Sequence, residues 1–141
     1  IFGAEDFCAD AGVTRTIEAR ELLYARSALV MHAAAFGLQA IDMVQVNYLD
    51  IDLLERECRE AAELGFTGKT VVHPAQIHVV QRAFTPSEKM ITYAREIVTG
   101  AAAAQQSGKG VFTHEGKLVD LPVVKRAENI LARARAAGLE L

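Results

Sequence analysis

Residues 38–74 read LQAIDMVQVNYLDIDLLERECREAAELGFTGKTVVHP, and this stretch decides the fold. It opens with a short apolar run, Ala40 to Val46, of strand length and β-branched in places. Asp52 and Glu55 then form a D-x-x-E start signal, and the helix it predicts runs to Leu64, where Gly65 stops it. A second apolar run, Lys69 to Val72, is broken at Pro74, which has no N–H to give to a ladder. Strand, helix and strand at this spacing form a βαβ unit with parallel strands.

The same alternation extends in both directions. Upstream, Ile1-Phe2-Gly3 reads as the tail of a buried strand and Ala4 to Arg15 as a polar loop. Thr16 is a plausible N-cap for a helix reaching Phe36, with Leu22, Leu29, Val30, Ala33 and Phe36 at helical spacing and Gly37 as its stop. Downstream, a short helix is expected from Ala75 to Ala83. Thr85-Pro86-Ser87-Glu88 has threonine at N-cap, proline at N1 and glutamate at N3 of a long helix that frays near Ser107-Gly108. GVFTHEGKLVDLP alternates around Glu115-Gly116 and predicts a hairpin or extended flap. A last helix follows from Leu121 to Ala137, with Gly138 as its stop.

The pattern is α/β: about three parallel strands with helices over residues 1–84, then a helix–flap–helix extension over 85–141. Three parallel strands cannot cover both their faces, so they read as part of a larger sheet or barrel. Ile1 is not an initiator methionine, and a strand that opens the chain reads as one whose start was cut off.

Composition excludes several classes. Half of the 141 residues are apolar, 23% are charged and the net charge is −3, with no basic patch, so nucleic acid is not an expected partner. No apolar run of about 20 residues is present, so no membrane-spanning helix is expected. Cys8 and Cys58 lack metal-ligand spacing and read as small buried hydrophobes in a reducing compartment.

In parallel α/β folds, sites form at the carboxyl ends of strands. Glu5 and Asp6 follow the first expected strand, Asp42 and NYLDID mark the second, and His73 follows the third. A hard cation such as Mg²⁺ takes oxygen ligands, so Asp6 or Glu5 could hold one; either could equally be a solvated acid. Asp120 before Leu121-Pro122 reads as an N-cap. His73 could touch substrate or be a hydrogen-bonded, partly buried histidine.

FGAEDFCADAG, LLYARSALVMHAAAFGLQAIDMV, GFTGKTVVHPAQIHVVQRAFTPS and GKLVDLP together resemble the citrate lyase β-subunit and malyl-CoA lyase family, which is HpcH/HpaI aldolase-like. The likeness is greatest to its β-like branch, which contains citramalyl-CoA lyase. The resemblance implies the C-terminal part of a TIM (β/α)₈ barrel. It implies an Mg²⁺-dependent carbon–carbon lyase that cleaves a short 3-hydroxyacyl-CoA, (S)-citramalyl-CoA giving pyruvate and acetyl-CoA. Malyl-CoA lyase or malate-synthase-like chemistry with glyoxylate is the alternative, and a non-catalytic lyase remnant is another. By the same resemblance Asp6 is the metal ligand, Glu5 a supporting, substrate-side residue, Asp120 the catalytic acid/base, and Thr70 and Val71 lie near bound CoA. The partners implied are an acyl-CoA and a 2-oxo acid. A homotrimer or hexamer is implied too, with the C-terminal segment closing over a neighbouring subunit. A bacterial cytoplasm and a mitochondrial matrix both suit such an enzyme.

Overall fold

The computed structural model describes residues 1–141. The chain divides into two units, Ile1–Phe84 and Thr85–Leu141.

The first unit is built on one βαβ crossover. Strand β1 (Ile41–Asp42) pairs in parallel with β2 (Gly68–Lys69), and helix α3 (Ile51–Leu64) connects them. Helix α1 (Ala4–Ala11), a 3₁₀ turn at Arg20–Leu22 and helix α2 (Leu23–Ala35) precede the crossover; a 3₁₀ turn at Pro74–Gln76 and helix α4 (Ile77–Phe84) follow it. Leu54, Cys58 and Ala61 of α3 are fully buried with Phe66, at the i, i+4, i+7 spacing of a core-facing helix. Burial pushes the Cys58 thiol up to about 11.

Several elements differ from expectation. Ile1–Gly3 forms no strand; its ladder is reduced to one bond, Phe2 N–H to the Ile41 carbonyl at 2.9 Å. The expected polar loop holds α1, because two acids in its first turn favour the helix dipole and Gly12, left-handed at φ 67°, closes it. Thr16 caps no helix. Its N–H and hydroxyl both donate to the Glu21 carboxylate, and Ala19, at φ 50°, breaks the helical path before Arg20. Both strands are shorter than expected because the Gln76 side chain takes the Gln45 carbonyl and the Val72 N–H, groups a longer ladder would use. Asp50, not Asp52, caps α3, accepting from Leu53 N–H at 2.9 Å.

The second unit is an antiparallel pair of helices with a hairpin between them. Helix α5 (Glu88–Gln106) is capped by Ser87, two residues later than expected, its hydroxyl accepting from Met90 N–H. Strands β3 (Phe112–His114) and β4 (Lys117–Val119) pair antiparallel through Glu115-Gly116. Both turn residues have positive φ (47° and 73°), the geometry of a two-residue type I′ turn. Helix α6 (Leu121–Ala136) follows at once. Ile91, Ala94 and Ile97 of α5 pack with Val119 and with Ala127, Ile130, Leu131 and Ala134 of α6.

Candidate active site

Glu5 and Asp6 occupy the first turn of α1. The N–H groups of Ala4, Glu5 and Asp6 have no intrahelical acceptor, as at any helix start, and Phe7 N–H is the first to bond back, to Gly3. The two acids have different surroundings. Glu5 lies 3.6 Å from Arg15, which also approaches Glu21 at 3.7 Å and donates to the Thr16 carbonyl at 2.7 Å. Asp6 is exposed and its carboxylate has no ion pair or hydrogen bond within the protein. It folds back toward Gly3, where a Cβ would sit 3.0 Å from Asp6 Oδ2. Glycine at position 3 therefore leaves room for that carboxylate.

Between the sheet and its helices lies a charge network that no motif announced. Asp42 and Lys69 are buried register partners on β1 and β2. Arg26 of α2, 1% exposed, grips Asp42 with two hydrogen bonds of 3.0 and 2.8 Å and donates a third, at 2.8 Å, to Glu60 of α3. Lys69 Nζ lies 3.5 Å from Asp42 and 2.9 Å from Glu57, both at ion-pair distance but without hydrogen-bond geometry. Burial opposes the Arg26 charge, yet the bonds and charges of Asp42 and then Glu60 outweigh it and hold the guanidinium above its ordinary range. The available signal was the placement of charges inside apolar stretches: arginine in LLYARSALV, aspartate in AIDMV and lysine in GKTVV.

The two loops leaving the strands are tied together by buried amides. Gln76, fully buried, donates to the Gln45 carbonyl and side-chain oxygen at 3.1 and 3.0 Å, and accepts from Val72 and His73 N–H at 2.9 and 3.2 Å. Gln45 in turn donates to the Asp50 carbonyl. His73 is exposed and stacks on Tyr48 with ring centroids 4.5 Å apart; its Nδ1 accepts from Ala75 N–H, which leaves the proton of the neutral ring on Nε2. Thr70 donates its N–H and its hydroxyl to the Asp42 carbonyl. Val71 packs against the core around Leu54 and Phe66.

Asp120 lies in the second unit, exposed, at the N-cap of α6, where its side chain accepts from Val123 N–H at 3.4 Å. Asp6, Glu5, Thr70 and Val71 all belong to the first. No group of three or more His, Cys, Asp or Glu side chains could hold a metal ion. A cation held at this turn would take one carboxylate, that of Asp6, and fill its remaining positions with other oxygens such as water and substrate.

Residues 1–74 match the family model described as HpcH/HpaI aldolase/citrate lyase. The chain belongs to this family. Mitochondrial citramalyl-CoA lyase of Rattus norvegicus is 48% identical over 134 residues, 95% of this chain and 40% of that protein. The citrate lyase subunit beta of Escherichia coli K12 is 36% identical over 97% of this chain and 45% of its own length. Among solved structures, CitE of Mycobacterium tuberculosis in complex with magnesium, acetoacetate and coenzyme A superposes with a TM-score of 0.76 at 36% identity, covering 94% of this chain and 50% of that one. The chain thus spans about half or less of the relatives it matches.

Proposed function

We propose that this chain is the C-terminal part of an Mg²⁺-dependent carbon–carbon lyase acting on a short 3-hydroxyacyl-CoA, with (S)-citramalyl-CoA as the substrate. The observation that carries this reading is the uncommitted Asp6 carboxylate at a helix start, in a chain 48% identical to citramalyl-CoA lyase. On this reading β1, β2 and the Phe2 segment are the last strands of a (β/α)₈ barrel, the enzyme is a homotrimer or hexamer, and residues 85–141 close over a neighbouring subunit.

Magnesium, when bound, would supply a Lewis acid that favours deprotonation of the substrate hydroxyl and holds that oxygen as it becomes the 2-oxo acid's carbonyl, while the electron pair of the broken carbon–carbon bond passes to the acetyl-CoA enolate. Asp6 offers it one carboxylate. Glu5 and Arg15 brace the turn, and the three amides of its first turn would be donors for the substrate's carboxylate. Asp120 delivers a proton to the carbon of the acetyl-CoA enolate, or removes it in the condensation direction. Such proton transfer contributes roughly 10²–10⁴-fold. Thr70 and Val71 border the CoA arm, Thr70 through backbone and hydroxyl groups fixed on Asp42.

Calorimetric titration of the full-length protein with MgCl₂ tests the metal role. Asp6→Ala weakens magnesium binding by at least about ten-fold, since one of only one or two protein carboxylates is lost. Unchanged magnesium affinity in that variant would refute the assignment. Parallel assays of acetyl-CoA with pyruvate and with glyoxylate separate the citramalyl from the malyl reading.

A further inference from the structure

The hairpin that leads into Asp120 is pinned to α5 at two places. Phe112 and His114, two residues apart on β3, share one face of the strand. Tyr93, Glu96 and Gly100 lie at i, i+3 and i+7 on one face of α5. The Phe112 ring lies so close to Gly100 that a Cβ there would come within 2.5 Å of its Cε2 and 2.8 Å of its Cζ. Glycine costs a helix interior about 1 kcal/mol relative to alanine, so this seat is kept against helix propensity. At the other end of the strand, His114 Nε2 lies 3.3 Å from Glu96 Oε2, and the Tyr93 ring meets the imidazole edge-on at 5.6 Å. That Nε2 is buried and makes no hydrogen bond, so its hold on the hairpin is the pairing with Glu96. Lys117 stands opposite His114 in the ladder, and Glu115 follows it in the turn.

The register carries this anchorage to Asp120. Phe112 pairs with Val119, which is 2% exposed, and Asp120 is the next residue. Phe112 on Gly100 thus fixes where β4 ends and α6 begins. One pin would leave the hairpin free to rock about Phe112; the second, near its tip, removes that freedom. We infer that His114, held by Glu96 and Tyr93, is a positioning residue for the Asp120 carboxylate, with Gly100 as the seat of the other pin, Phe112.

The inference rests on the reading of Asp120 as the acid/base, and the test separates the two. Turnover of (S)-citramalyl-CoA by the full-length protein is measured for wild type, His114→Ala, His114→Gln, Glu96→Gln and Asp120→Ala, with amide hydrogen exchange across residues 112–119. Glu96 is half exposed, so its variant leaves the core intact. Misplacement of a reacting group is expected to lower kcat by about ten-fold in His114→Ala and Glu96→Gln, with KM within about two-fold and faster hairpin exchange. His114→Gln, whose amide can approach Glu96 in place of the imidazole, regains most of the loss. Full turnover in His114→Ala alongside a failing Asp120→Ala overturns the positioning role alone, as does lost turnover with unchanged hairpin exchange. Full turnover in Asp120→Ala overturns the acid/base reading and this inference with it.

Discussion

Asp42 and Lys69 face each other across β1 and β2 with 3.5 Å between carboxylate and ammonium, yet the carboxylate's two good hydrogen bonds both go to Arg26. Arg26 is the partner that satisfies Asp42, and Lys69 is a second cation held mainly by Glu57. Removing one member of a buried pair leaves an uncompensated charge and costs about 3–5 kcal/mol. Asp42→Asn strands two cations and is expected to fall in that range. Lys69→Met leaves the Arg26–Asp42 pair whole and strands one partner, Glu57, whose side chain keeps 10% of its surface exposed, so its cost is smaller. Urea unfolding of the two variants gives the ranking, and an equal or reversed order would refute it.

The Glu21 carboxylate accepts the Thr16 N–H at 2.8 Å and the Thr16 hydroxyl at 2.7 Å. These bonds, the backbone one foremost, bring Glu21 down from 4.5 to about 2. A carboxyl with a depressed folded value stabilises the fold in its ionised form. Its contribution is complete above the unfolded value of 4.5 and is lost as pH falls toward 2. Glu21→Gln should therefore melt below wild type at neutral pH and converge with it near pH 2. Parallel melting curves across that range would contradict the assignment.

Gln76 satisfies four groups at once: two oxygens of Gln45 and the N–H groups of Val72 and His73. Each buried group left unsatisfied costs about 1–3 kcal/mol. Gln76→Leu should be among the most destabilising single changes in the first unit, and should loosen the Tyr48–His73 stack that the two loops carry. Line broadening of the His73 ring protons reports the loosening; a sharp, unshifted ring signal would argue against it.

What could be read from the sequence follows from how local each cause is. Glu115-Gly116 between alternating strands demands a tight hairpin, and the structure has one. Gly65 and Gly138 end their helices in the left-handed conformation, a backbone need that no distant residue alters. The cap of α3 moved from Asp52 to Asp50 because two aspartates compete within NYLDID and only the side chain that reaches Leu53 N–H wins. Charged residues inside apolar stretches hinted at the charge network, but its pairing joins residues up to 34 apart in sequence, which only the crossover brings together. The difference between Glu5 and Asp6 was hidden in the same way, since Arg15 returns from beyond Gly12 to engage one acid and not the other. Asp120 appeared as an N-cap, and it is one; its proposed chemistry rests on the family, not on local pattern.

Asp6 and Asp120 carry separate roles in the proposed reaction, so their loss should be separable. The Asp120 carboxylate makes a single long bond of 3.4 Å to Val123 N–H, and α6 also begins with proline at its first turn. Losing an N-cap of this kind costs about 0.5–2 kcal/mol, too little to unfold the unit. Asp120→Ala in the full-length protein should then keep magnesium affinity and substrate KM while kcat falls by roughly 10²–10⁴-fold, the range for general acid–base help. Asp120→Asn keeps the capping oxygen and should recover the stability but not the turnover, because an amide cannot exchange the proton. Recovery of turnover by asparagine would reduce Asp120 to a helix cap, and loss of magnesium binding in either variant would move it into the metal site.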